Sequence, residues 1–175
     1  MHYGLSIFPI VLVGMMGSGK TTVARHLAKN LACDFIDLDK EICRVAGKSI
    51  RTLFDEAGET HFRDLEQEVL AALFQTYQDN RIIIATGGGT VLRAKNRALL
   101  AGHATTICLY RTPQHLQKYP RTLARPPVNG DFARYQQLLQ ERMPLYRSVA
   151  SMFILNDNSV EAARRIQRFL IARKS

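Results

Sequence analysis

The stretch "IVLVGMMGSGKTT", residues 10–22, sets an apolar run against a glycine-rich turn that ends in one lysine and two threonines. Gly14, Met15, Met16, Gly17, Ser18, Gly19, Lys20 and Thr21 match G-x-x-x-x-G-K-S/T, and "TTVARHLAKNL" after them carries Val23, Leu27 and Leu31 at helical spacing. A strand, a glycine turn and a helix in that order make a phosphate loop. The glycines let the backbone curl until several N–H groups face one anion, and the positive end of the following helix adds to the attraction. Lys20 is placed to reach the β- and γ-phosphates and the Thr21 hydroxyl to ligate Mg²⁺, with Gly17, Ser18, Gly19 and Thr22 completing the cradle. The expected ligand is ATP or GTP.

Outward from this loop, short apolar runs alternate with helical patterns along the whole chain. Strands are expected at Ile10–Val13, Asp34–Asp37, Ile82–Ala85, Thr105–Tyr110 and Met152–Leu155. Between them, "FRDLEQEVLAALFQTY" places Phe62, Val69, Leu73 and Tyr77 on one stripe. The last helix opens near Ser159 as its N-cap and turns Val160, Ala163, Ile166 and Leu170 inward. Such alternation predicts an α/β fold with a parallel sheet covered by helices on both faces. No composition break divides the chain, so residues 1–175 read as one domain; the Pro- and Arg-containing stretch from Arg111 to Asp131 reads as a mobile excursion.

Composition excludes several classes. At 175 residues with 46% hydrophobic content, the chain can build its own core without disulfide or metal staples. Cys33, Cys43 and Cys108 are odd in number and lack metal-ligand spacing, which suits free thiols in a reducing compartment. The sequence contains no 18-residue apolar run or signal-peptide pattern, so no membrane association and a cytoplasmic location are expected. The formal charge of +9 calls for an anionic partner or a basic solvated surface. The arginines Arg111, Arg121, Arg125, Arg134, Arg142 and Arg147 are spread out, and no basic run marks a nucleic-acid arm.

Two further segments carry chemistry. The strand "RIIIA" ends in Thr86 and Gly87, Gly88 and Gly89 instead of the acidic residue that commonly holds Mg²⁺ at that place. Three bare residues permit another molecule to approach the main chain, or form a plain flexible turn. Acidic residues stand instead in "CDFIDLD", where period-two alternation would put Asp37 and Asp39 on one side of an extended segment, at the sheet edge that also holds the phosphate loop. Two solvated carboxylates capping the next helix are the alternative. In "GETHFRDLE", Arg63 and Glu66 sit at i and i+3, either as a surface ion pair or with Glu66 setting the plane of a guanidinium that grips a carboxylate.

Taken together, "GMMGSGKTTVARHLA", "FIDLD", "GKSIRTLFDEAGETHFRDLE", "IIIATGGGT" and "RMPLYR" closely resemble the shikimate kinase family from about Ile10 to Phe169. The resemblance implies a three-layer α/β/α phosphate-loop kinase fold with a five-stranded parallel sheet, an acceptor-binding helical region over about 40–75 and a mobile lid over about 112–128. It implies transfer of the ATP γ-phosphate to the 3-hydroxyl of shikimate, with Mg²⁺ held directly by Thr21 and through water by Asp37. Asp39 would hold the ring hydroxyls, and Arg63, Gly87, Gly88, Gly89 and Arg142 the carboxylate region. In the lid, Arg125 would reach the transferring phosphate and Arg121 lie over the adenine. Lys20, Asp39 and Arg125 would then be the catalytic residues of a monomer whose partners are shikimate and ATP, with no nucleic acid. Where the family usually continues Arg-Pro-Leu-Leu, this chain reads Arg125, Pro126, Pro127 and Val128. Rival readings are a gluconate-type small-acid kinase on the same fold, a non-enzymatic basic nucleotide-binding protein, and an inactive paralogue.

Overall fold

A computed structural model describes residues 7–77, 81–112, 115–116, 128 and 130–173. The elements run β1 (Ile10–Val13), α1 (Lys20–Leu31), β2 (Asp34–Asp37), α2 (Leu38–Ala46), α3 (Ile50–Thr76), β3 (Ile82–Ala85), a 3-10 turn (Thr90–Leu92), α4 (Ala94–His103), β4 (Thr105–Tyr110), α5 (Phe132–Arg147), β5 (Met152–Leu155) and α6 (Ser159–Ala172). The five strands form one parallel sheet in the order β2-β3-β1-β4-β5.

The period of two in β1 explains the three layers. Val11 and Val13 join a core with α2, α3, α4 and α5, while Ile10 and Leu12 join a second core with α1 and α6. All four residues are fully buried, as expected of a central parallel strand covered on both sides. With β1 central, the chain runs first to β2 and β3 on one side and then to β4 and β5 on the other. The crevice at the carboxyl end of β1 is therefore the topological switch point where such sheets bind ligands, and the phosphate loop occupies it.

All five strands occupy the expected residues. Helix α3 reaches well upstream of the expected segment and is interrupted at Gly58, whose φ of 77° and ψ of 175° break the helical path. Two details of α6 differ from expectation. Its N-cap is Asn158, whose side chain accepts from the N–H groups of Val160 and Glu161. Val160, expected inward, is 41% exposed, and Ala162 instead joins Ala163, Ile166 and Leu170 in the core. None of the described helices is long and apolar enough to cross a membrane.

Candidate active site

The phosphate loop runs from the end of β1 to the start of α1. Gly19 takes φ of 86° as the residue before α1, and a Cβ there would also overlap the Asn156 side-chain amide, so both backbone and packing require glycine. The buried Lys20 folds back over the loop: its Nζ donates to the carbonyls of Gly14 at 2.8 Å and Met15 at 3.0 Å and to Ser18 Oγ at 3.4 Å. Thr22, one residue into the helix beyond Thr21, is exposed.

Two residues that the sequence did not single out brace the loop from the far strands. Asn156, fully buried just past β5, donates from Nδ2 to the Ser18 carbonyl at 2.7 Å. Arg111, just past β4, donates from Nη1 to the Gly17 carbonyl and from Nε to the Asn156 carbonyl, both at 3.0 Å. Strands β4 and β5 thus fix the carbonyl side of the loop at Gly17 and Ser18, while the Ser18 N–H donates within the loop to the Met15 carbonyl at 3.2 Å. The only local signal was position, since both residues follow strands ending on the ligand edge.

The aspartate pair is brought to the loop, but by a different geometry from the extended segment expected. Asp37 ends β2 and caps α2, its Oδ1 accepting from the Lys40 N–H at 3.3 Å, and Asp39 already lies in the first helical turn. A carboxylate able to satisfy an orphan helix N–H stops the strand there. Asp37 Oδ2 accepts from the Thr21 hydroxyl at 2.7 Å. Asp39 packs against Gly87, where an added Cβ would come within 2.9 Å of its Oδ1. Burial first, and the neighbouring Asp37 second, raise the Asp39 carboxyl above the usual carboxylate range, with Lys20 opposing.

Arg63 lies near enough to Asp39 for its charge to act on that carboxyl. Its side chain is 12% exposed and that of Glu66 is fully buried, so this is no surface ion pair. Arg63 Nη1 donates to Glu66 Oε2 at 2.8 Å, while Nε and Nη2 reach Glu59 Oε1 at 3.2 and 3.1 Å. The guanidinium carbon lies 5.0 Å from the centre of the Phe62 ring, and the group sits directly against Gly89, where a Cβ would overlap it. The glycine triplet is therefore bare at Gly89 because an arginine is stacked there. At Gly88 the approaching group is the loop itself, since a Cβ would lie 3.1 Å from the Met16 nitrogen.

Arg142, which sequence alone would leave solvated on a helix, is buried at 4% exposure and donates from Nη1 to the Gly88 carbonyl at 3.2 Å. Tyr146, one turn on, donates its hydroxyl to the same carbonyl at 2.6 Å, and burial pushes its phenol well above the usual range. Thr86 ties the end of β3 to β1 through its hydroxyl and N–H, both on the Leu12 carbonyl. This backbone stitch stands where an acidic residue would otherwise end the strand. Lys20, Thr21, Asp37, Asp39, Arg63, Gly87, Gly88, Gly89 and Arg142 thus gather at one sheet edge. Arg121 and Arg125 lie outside the described residues.

The crevice thus sets the glycine-rich loop and its lysine beside a partly buried guanidinium held by Glu66 and Glu59, with the Asp39 carboxyl near both positive charges. Comparison with known proteins agrees with it. The family model for shikimate kinase matches residues 16–171. A shikimate kinase of Nitrosococcus oceani is 43% identical over 152 residues, 84% of this chain and 77% of that one. One from Paracidovorax citrulli is 39% identical over 161 residues, 90% of this chain and 87% of that one. The structure of shikimate kinase from Acinetobacter baumannii in complex with shikimate superposes with a TM-score of 0.86 at 37% identity, covering 94% of this chain and 93% of that one. From within the phosphate loop to the last helix, the chain belongs to the shikimate kinase family.

Proposed function

We propose that this kinase transfers the γ-phosphate of ATP to the 3-hydroxyl of shikimate, with the acceptor gripped by its ring carboxylate on Arg63. The observation that carries the acceptor side is the Arg63 guanidinium, stacked on Gly89 and held by the buried Glu66. A planar fork fixed in this way suits two hydrogen bonds to a carboxylate. Arg142 and the backbone of Gly87 to Gly89 complete the carboxylate end.

On the donor side, the loop amides of Gly17, Ser18, Gly19 and Lys20, with Thr21 and Thr22, bind the phosphates. Lys20 neutralises the oxygens between which transfer occurs. The Thr21 hydroxyl and Asp37 carboxylate, 2.7 Å apart, are hard oxygen donors of the kind Mg²⁺ takes. Thr21 would bind the ion directly and Asp37 through a water, and the bound ion would neutralise charge on the β- and γ-phosphate oxygens. Asp39 accepts the hydrogen bond of the attacking hydroxyl, fixes its direction, and receives its proton as the new bond forms. Because the transition state is loose, positioning and charge neutralisation supply most of the rate.

By resemblance, Arg125 of the lid at about 112–128 meets the transferring phosphate and Arg121 covers the adenine. The helical region over about 40–75 carries acceptor binding, within a single domain. The reading is completed by a cytoplasmic monomer that takes no nucleic acid; dispersed basic residues and three free cysteines support it. The test is an ADP-release assay with shikimate, gluconate, nucleoside monophosphates and buffer alone. Release is expected to depend on shikimate; equal release with gluconate would favour the rival acid kinase.

A further inference from the structure

The grip on Arg63 has a second layer. Glu66 is fully buried and both its oxygens are engaged: Oε2 accepts from Arg63, and Oε1 accepts from the Thr90 hydroxyl at 2.6 Å. Thr90 is itself fully buried. It opens the 3-10 turn after the glycine triplet, and its carbonyl accepts from Asn96 Nδ2 at 2.9 Å. Asn96, at 1% exposure on α4, closes the chain of contacts.

The geometry points to Thr90 as a positioning residue for the acceptor grip, setting the plane of the Glu66 carboxylate and through it the plane of the Arg63 guanidinium. This rests on Arg63 being the carboxylate clamp. The terminal torsion of a glutamate is broad, so a carboxylate held at one oxygen alone can swing. A second bond at Oε1, from a side chain stiff at χ1 on a residue whose backbone carbonyl is held by α4, removes that freedom. The other partner of Arg63 cannot do so, because Glu59 is 56% exposed and its ion pair is of the kind that contributes little. Thr90 also follows Gly89, against which the guanidinium stacks, so one short segment fixes the arginine from its face and, through Glu66, from its edge.

The test is steady-state kinetics of Thr90→Val, Thr90→Ala and Thr90→Ser, with Arg63→Ala alongside. Thr90→Val is expected to raise the KM for shikimate about five- to tenfold, with kcat and the KM for ATP within about twofold of wild type. Thr90→Ser, which keeps the hydroxyl, is expected to restore wild-type values. An unchanged KM for shikimate in Thr90→Val, an equal rise in the KM for ATP, or a serine variant as impaired as the valine would overturn the assignment. If Thr90→Val does not fold, Thr90→Ala is read in its place. Loss of folding in both makes Thr90 structural and also overturns it. A large effect of Arg63→Ala with none at Thr90 rejects only the positioning role, whereas no effect of Arg63→Ala rejects the clamp itself.

Discussion

The Thr21 hydroxyl donates to the Asp37 carboxylate at 2.7 Å, joining the first turn of α1 to the end of β2. The threonine at the start of α1 and the aspartate that ends β2, a strand separated from β1 by β3, are thereby held together. Thr21→Val keeps the shape and removes the hydroxyl. Turnover is expected to fall roughly ten- to a hundredfold, with a higher Mg²⁺ concentration needed for half-maximal rate. A Mg²⁺ titration of the variant checks this, and an unshifted titration would place the ion elsewhere.

The bonds of Lys20 to Gly14, Met15 and Ser18 give it a structural as well as a chemical part. Lys20→Ala is expected to lower kcat by at least about 10²-fold. It should also cost about 1–3 kcal/mol of stability, because buried loop carbonyls lose their donor. Thermal unfolding together with initial rates separates the two effects. A variant of full activity would remove Lys20 from the chemistry.

The Asp39 carboxyl is raised by burial and by Asp37, so the fold favours its protonated form. The stability this gives is complete below the ordinary carboxylate pKa and is lost as pH rises through the raised value. Asp39→Asn, neutral throughout, is expected to be the more stable protein at neutral pH, with the difference closing as pH falls. Its activity should fall sharply, since an amide oxygen can accept the hydroxyl's hydrogen bond but cannot receive its proton. In wild type the acid limb of kcat/KM should lie above the usual carboxylate range. Unfolding curves of both proteins across pH check the sign, and a variant less stable at pH 7 would contradict it.

The strands were legible because short β-branched or apolar runs alternate with helical patterns, and the loop because its glycines, lysine and threonine have fixed mechanical parts. What escaped was decided at long range. Asn156 reaches Ser18 across 138 positions and Arg111 reaches Gly17 across 94, and no local pattern encodes such contacts. Asp39 was misplaced because Asp37 satisfies an N–H of α2 and ends the strand two residues before Asp39, so strand alternation never reaches it. The pairing of Arg63 with Glu66 was visible in spacing, but its burial was not, since that depends on Gly89 and Thr90 arriving from β3.

Calorimetric titration of shikimate into Arg63→Ala most directly tests whether the acceptor is held by its carboxylate on a preoriented arginine. Loss of a charge-assisted, two-bond contact is expected to weaken shikimate binding by about 1.5–3 kcal/mol, roughly ten- to a hundredfold, while ATP binding stays near wild type. Wild-type shikimate affinity in a folded Arg63→Ala protein, or a loss confined to ATP, would contradict it.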